Sequence, residues 1–146
     1  MTTAQNAQAW LARETTSIGA FVVRLDGGRT GFGALTSGNW VLVVDSSGAL
    51  QRLGRIFRSR SDLVSTTLYF DKVHTVKVAG SLSDIGLTLP IGLVTRLRPE
   101  DLSAVLAREG VSTPEDVPLI QDAAYVRDLL ELATRDDLLG PANGPE

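Results

Sequence analysis

The sequence predicts an α+β fold: a small, strongly bent antiparallel β-sheet or barrel of about five to seven strands, followed by C-terminal helices. Three observations carry that prediction. Residues 38–78 contain three runs with strand character, WVLVVD, LQRLGRIFRSR and VSTTLYF. Polar turn residues, Ser46-Ser47-Gly48 and Ser61-Asp62, separate them. Beyond Pro99 the apolar spacing changes from strand-like to helical, and acidic residues gather where helices would start.

Taken in order, residues 3–13 read as a short helix, with Ala4, Ala7 and Leu11 on one stripe and Trp10 beside it. Ile18 to Leu25 is a first strand. Asp26-Gly27-Gly28 supplies a hairpin turn, and Thr30 to Leu35 a return strand weakened by its glycines. Trp40 to Asp45 alternates little, which predicts a strand covered on both faces. Along Leu50 to Arg60, simple alternation places Leu53, Arg55 and Phe57 on one face and Arg52, Ile56, Arg58 and Arg60 on the other. In the third strand Val64, Leu68 and Phe70 oppose Ser65, Thr67 and Tyr69, and Asp71-Lys72 reads as a kink before VHTVKV. One barrel face through Leu53, Phe57, Leu68 and Phe70 follows from these assignments.

The glycines and Pro90 break up residues 81–92, and Leu93 to Leu97 closes the sheet. Pro99 opens a helix that Gly110 ends, and Leu102, Val105 and Leu106 form its apolar stripe. Thr113-Pro114-Glu115-Asp116 starts a short turn limited by Pro118. Asp122 to Leu139 is the longest helix, with Val126, Leu129, Leu130, Ala133 and Leu138 at helical spacing. The division expected is 1–17 as an N-terminal helix or arm, 18–98 as the barrel, 99–139 as helices packed on it, and 140–146 as a linker. The glycine- and proline-rich composition of 140–146 reads as a lead into further chain, with residue 146 as a cut and not a natural end.

Composition bounds the chemistry. With 146 residues and 43% hydrophobic side chains the chain suits one domain, and aromatics at 5% leave Leu, Val and Ile to fill its core. The absence of cysteine rules out disulfides and thiolate metal sites and fits a reducing compartment, the cytoplasm. No signal peptide pattern opens the chain, and no run approaches the length of a membrane span. The net charge of −3 conceals a division: residues 1–99 carry eleven basic against six acidic side chains, residues 100–146 three against eleven. A mildly basic β-rich part precedes a strongly acidic helical part, a hint about partners.

Nothing in the sequence calls for catalysis, a cofactor or a metal. There is no phosphate-binding P-loop and no dinucleotide fingerprint, and GGRTGFG (Gly27 to Gly33) lies between strands without opening a helix. The single histidine, His74, alternates with valines in a strand-like run and has no nucleophile elbow to serve. The acidic pairs Glu100-Asp101, Glu115-Asp116 and Asp136-Asp137 fall at helix starts or on helix faces, where dipole matching and solvation account for them.

The constellation with functional promise is the basic strand: Arg52, Arg55, Arg58 and Arg60, with Lys72 and Tyr69 close by in sequence. Arginines spaced along an extended strand beside an aromatic can follow a phosphate backbone, so these six are the candidate nucleic-acid-binding residues. Two structural readings compete with it: charge protecting an edge strand from association, or pairing with the acidic helices.

Two family resemblances add to this. The run Gly38/Val41/Val43, Gly54/Ile56 and Tyr69/Phe70 resembles the core of an SH3-like small barrel of the Tudor or bromo-adjacent-homology type, over about forty residues, without the cage of aromatics that would read methyl-lysine. The segment AYVRDLLELATRDDLLGPANGPE resembles an element near the N-terminus of bacterial phage-defence helicases of superfamily 2, the DISARM type especially. That resemblance covers Tyr125 to Glu146 and implies an accessory domain preceding a motor. The expectation is therefore a non-enzymatic, cytoplasmic accessory domain in antiviral defence. It would engage DNA through the basic strand, need no cofactor and have no membrane partner. The alternative is an interaction module that docks a partner protein or the downstream helicase domains.

Overall fold

A computed structural model describes residues 8–13, 16–17, 21–26, 35–45, 47–62, 64–87 and 94–139. Among these residues seven strands form one sheet: β1 (Ala9–Arg13), β2 (Thr16–Ser17), β3 (Val22–Asp26), β4 (Trp40–Val44), β5 (Leu50–Ser61), β6 (Ser65–Thr75) and β7 (Val94–Leu97). Two helices follow, α1 (Pro99–Arg108) and α2 (Ala123–Leu139), with short 3₁₀ turns at Leu82–Ile85 and Pro114–Asp116. The strand order is β2-β3-β6-β5-β4-β1-β7. The fold class is thus the expected one, a strongly bent sheet followed by helices.

The meander β4-β5-β6 is its centre. Every residue of Trp40–Val44 is buried, as the lack of alternation in WVLVVD predicted. The strand serves two cores. Trp40, Leu42 and Val44 join Ala9, Leu11, Leu50, Leu53 and Leu97 in a cluster closed from outside by Leu82, Val105, Leu106 and Val117. On the opposite side Val41 and Val43 join Ala12, Val23, Leu25, Leu35, Ile56, Leu68 and Phe70. Among the described residues no helix residue belongs to this second core, yet its side chains are almost fully buried. Trp10, Val73 and Ile120 pack against it.

The N-terminal helix is corrected. Ala9–Arg13 is a strand inserted between β4 and β7, parallel to the first (Ala9↔Trp40, Leu11↔Leu42) and antiparallel to the second (Ala9↔Leu97). The sheet is therefore not wholly antiparallel. Leu11 and Ala12 are both buried, on opposite faces, so a strand covered on two sides showed no period of two and was read at helical spacing. The kink expected at Asp71-Lys72 does not divide β6 either, which runs unbroken from Ser65 to Thr75.

α1 follows its sequence signals. Pro99 stands in its first turn, and the Asp101 carboxylate accepts hydrogen bonds from the Arg98 backbone N–H (3.2 Å) and guanidinium (3.2 and 3.3 Å). Gly110, at φ +73°, ends it in the left-handed conformation that glycine adopts without strain. The side chains Val105 and Leu106 pack into the first core. The readings for 3–7, the turn at Gly27-Gly28, most of the return strand 30–35, GGRTGFG and the linker 140–146 lie outside the described residues.

Candidate functional site

The basic strand is organised by irregularities in the β5–β6 ladder. The register runs Leu53↔His74, Gly54↔Val73, Arg55↔Lys72, then Ile56↔Phe70, then Arg58↔Tyr69, Ser59↔Leu68 and Arg60↔Thr67. Asp71 is the extra residue on β6 and Phe57 the extra residue on β5, so two bulges compensate each other. Residues directly opposite share a face. Ile56, Phe70 and Leu68 point into the second core, which puts Ser59 on that side and Arg55, Arg58 and Arg60 together on the other.

This overturns the faces that alternation assigned. Leu53 belongs to the first core, whereas Leu68 and Phe70 belong to the second, so no single barrel face joins them. Phe57 is a half-buried bulge residue, and Val64 is 72% exposed. One inserted residue at Phe57 swings Arg58 and Arg60 onto the face of Arg55, where the sequence had set them apart. Arg52 goes the other way. It lies opposite Val43, on the second-core side, and only 8% of it is exposed.

The third strand extends the face. Val22 pairs with Tyr69 and Arg24 with Thr67, while Val23 and Leu25 enter the second core. Rows therefore cross the sheet: Arg60–Thr67–Arg24, then Arg58–Tyr69–Val22, then Arg55–Lys72. Beyond Lys72 the same face continues as Leu53 and His74 and passes beneath the region that α1 covers. The candidate surface is the part of this face that α1 does not reach. Arg24 is an exposed cation on it, and it was absent from the sequence-based site. No local signal marks it, because the pairing of β3 with β6 brings together residues more than forty positions apart in the chain.

The groups on this face differ in their commitments. The Arg55 guanidinium forms a two-point ion pair with Asp71 (Nε–Oδ1 and Nη2–Oδ2 both 2.9 Å), and that hydrogen bonding raises the Arg55 pKa above its ordinary value. The bulge that makes Asp71 an extra residue places it within reach of the arginine. The Arg58 guanidinium lies 4.7 Å from the centroid of the Phe57 ring and donates to the Phe57 carbonyl at 3.0 Å. Arg24 lies near Asp62, whose pKa is lowered chiefly by the N–H groups of Val64 and Ser65, with a smaller contribution from Arg24. Tyr69 and Lys72 are half-buried, at the middle of the face. Of the six residues anticipated, five share this surface and Arg52 does not.

Two neighbouring features are structural. His74 Nε2 sits 2.9 Å from Glu109 Oε1, and that carboxylate also accepts the N–H groups of Lys77 (2.7 Å) and Val78 (3.1 Å). The group ties the end of β6 to the end of α1, consistent with a structural histidine. On the edge of β6 the hydroxyl of Tyr125 donates to the Phe70 carbonyl at 2.6 Å and lies 3.1 Å from that of Phe21, while its ring packs on Phe21 at 4.8 Å. Burial, first of all, pushes the Tyr125 pKa well above the usual range. Past that anchor α2 is lightly attached: Leu129 is its one buried side chain among 123–134, and Leu130 is 62% exposed.

Among the described residues no group of three or more His, Cys, Asp and Glu is placed to hold a metal ion, and no helix is long and apolar enough to cross a membrane. No family model matches the chain, and no curated protein matches it. Among solved structures it is similar to the crystal structure of a structural-genomics protein from Agrobacterium tumefaciens. The identity is 14% and the TM-score 0.48, over 77% of this chain and 99% of that one.

Proposed function

We propose that this is a non-catalytic accessory domain that engages DNA through the outer face of β3, β6 and β5. The observation that carries the reading is the gathering of Arg24, Arg55, Arg58, Arg60 and Lys72 around Tyr69 by two compensating bulges. Bulges re-aim side chains at some cost to the ladder, and here they turn an alternating strand into a single basic surface. Arg24, Arg58, Arg60 and Lys72 are the cations assigned to phosphate contact, beside the Arg55–Asp71 pair. Its setting within a larger phage-defence helicase rests on the resemblance of residues 125–146 alone.

Fluorescence anisotropy with labelled DNA at rising salt tests the reading. Binding at low salt should weaken as salt rises, with a log–log slope of about 0.7–0.9 per phosphate contacted. Arg58→Glu with Arg60→Glu should abolish it. Absence of binding at low salt, or binding unchanged in that double variant, ends the proposal. Arg55 is left intact because its reversal would set two carboxylates face to face and confuse folding with binding.

A second reading is supported by α2. An acidic helix with Leu130 exposed and one buried anchor suits docking against a partner protein or further domains of its own chain. Under it, DNA is not bound, and a helicase motor supplied in trans co-purifies with the wild type but not with Leu130→Asp.

A further inference from the structure

We infer that the nucleic acid held on this face is single-stranded, laid across β5, β6 and β3 with Tyr69 as its stacking platform. The inference deepens the DNA-binding reading and rests on it. Three features of the surface support it. First, the surface is a sheet face. Reading or gripping a duplex through its major groove takes an element that enters it, a helix or a two-stranded ribbon. Here α1 spends its apolar stripe on the first core, and the three strands present side chains from a continuous sheet. Bases can meet such a surface only when they are unstacked and splayed over it.

Second, the aromatic is placed as a platform would be. Tyr69 stands in the middle row, directly opposite Arg58 on one neighbour and Val22 on the other. The row on one side carries Arg60 and Arg24, and the row on the other carries Lys72 beside the Arg55–Asp71 pair. A base on the Tyr69 ring would have cations on both sides for the flanking phosphates. Third, the charges cross the strands as well as follow one. Arg60 and Arg24 flank Thr67, two strand spacings apart, about 10 Å. Thr67 and Val22 are small, so they leave room for a ligand beside the ring. A duplex gains only the phosphate contacts here, whereas a single strand adds base stacking, so a preference of about tenfold or more is expected.

The test is anisotropy on the whole chain with three labelled probes of equal length: oligothymidylate, a duplex, and an abasic single strand. Oligothymidylate should bind about tenfold tighter than the duplex or the abasic strand. Tyr69→Ala should remove that preference, and Tyr69→Phe should keep it. Arg24→Ala should weaken all three probes and lower the salt slope by about 0.7 on the single strand. Duplex binding equal to or tighter than single-strand binding refutes this inference and leaves the basic-face reading standing. So does an abasic strand that binds as well as oligothymidylate, which needs no variant to fold. If none of the three probes binds at low salt, the underlying reading fails with it.

Discussion

Replacing Gly54 by alanine would test the packing that creates the candidate face. Gly54 lies in β5 opposite Val41 and Val73, directly over the ring of Phe70. A Cβ added there would meet three ring carbons at 2.6, 2.7 and 2.8 Å. Carbon atoms in contact prefer about 3.5–4.0 Å, so the ring would have to retreat by about 1 Å. Phe70 is fully buried among Ile56, Leu68 and Val41, and there is nowhere near at hand for it to go. Overpacking of this kind costs about 1–3 kcal/mol, offset by about 0.5–1 kcal/mol from the lower chain entropy of alanine in the unfolded state. The net expectation is a loss of about 1–2 kcal/mol, a fall in Tm of about 3–8 °C. Calorimetry or denaturant melts of Gly54→Ala, Phe70→Leu and the double variant complete the experiment. Trimming the ring makes room for the methyl group, so the double variant should be more stable than the sum of the singles by about 1 kcal/mol. A neutral or stabilising Gly54→Ala, or strict additivity, would refute the described packing of β5 on β6 and with it the bulges that gather the arginines.

Other perturbations follow from single contacts. Tyr125→Phe removes the hydroxyl that donates to Phe70 and should cost about 1 kcal/mol in a melt, with increased amide exchange along α2 as the local signature. Glu109 has its pKa lowered overall: burial alone would raise it, and the amides of Lys77 and Val78 with the His74 ring outweigh that. A carboxylate depressed in the folded state stabilises above its unfolded pKa, and that contribution is lost as pH falls through the folded value. Acid titration of stability should therefore fall off more gently in Glu109→Gln, which should also be less stable than wild type at neutral pH. A double-mutant cycle on Arg55 and Asp71, an ion pair about a quarter exposed, should return a coupling of about 0.5–1 kcal/mol that shrinks with added salt. Asp101→Ala removes the acceptor that organises the start of α1 and should cost about 1 kcal/mol.

Wherever the chemistry is local, the sequence was enough. WVLVVD is a strand because β-branched residues favour the pleat, and its missing alternation told correctly that both faces are covered. Pro99 and Gly110 bracket α1 because one fixes φ for a first helical turn and the other accepts a left-handed one. The charge division between the β-rich and helical parts is likewise plain in the sequence. Tertiary structure decided the rest. Ala9–Arg13 has apolar spacing that suits a helix stripe, and only parallel pairing with β4 made it a strand. The arginines of β5 divide between two faces under strict alternation, and a single extra residue at Phe57 regroups them. Arg24 joins them only because β3 lies beside β6, and Arg52 leaves them only because it faces the second core. Propensity and periodicity are properties of a few consecutive residues. Register, bulges and strand neighbours are set by which distant side chains can be buried together, and the candidate face depends on them.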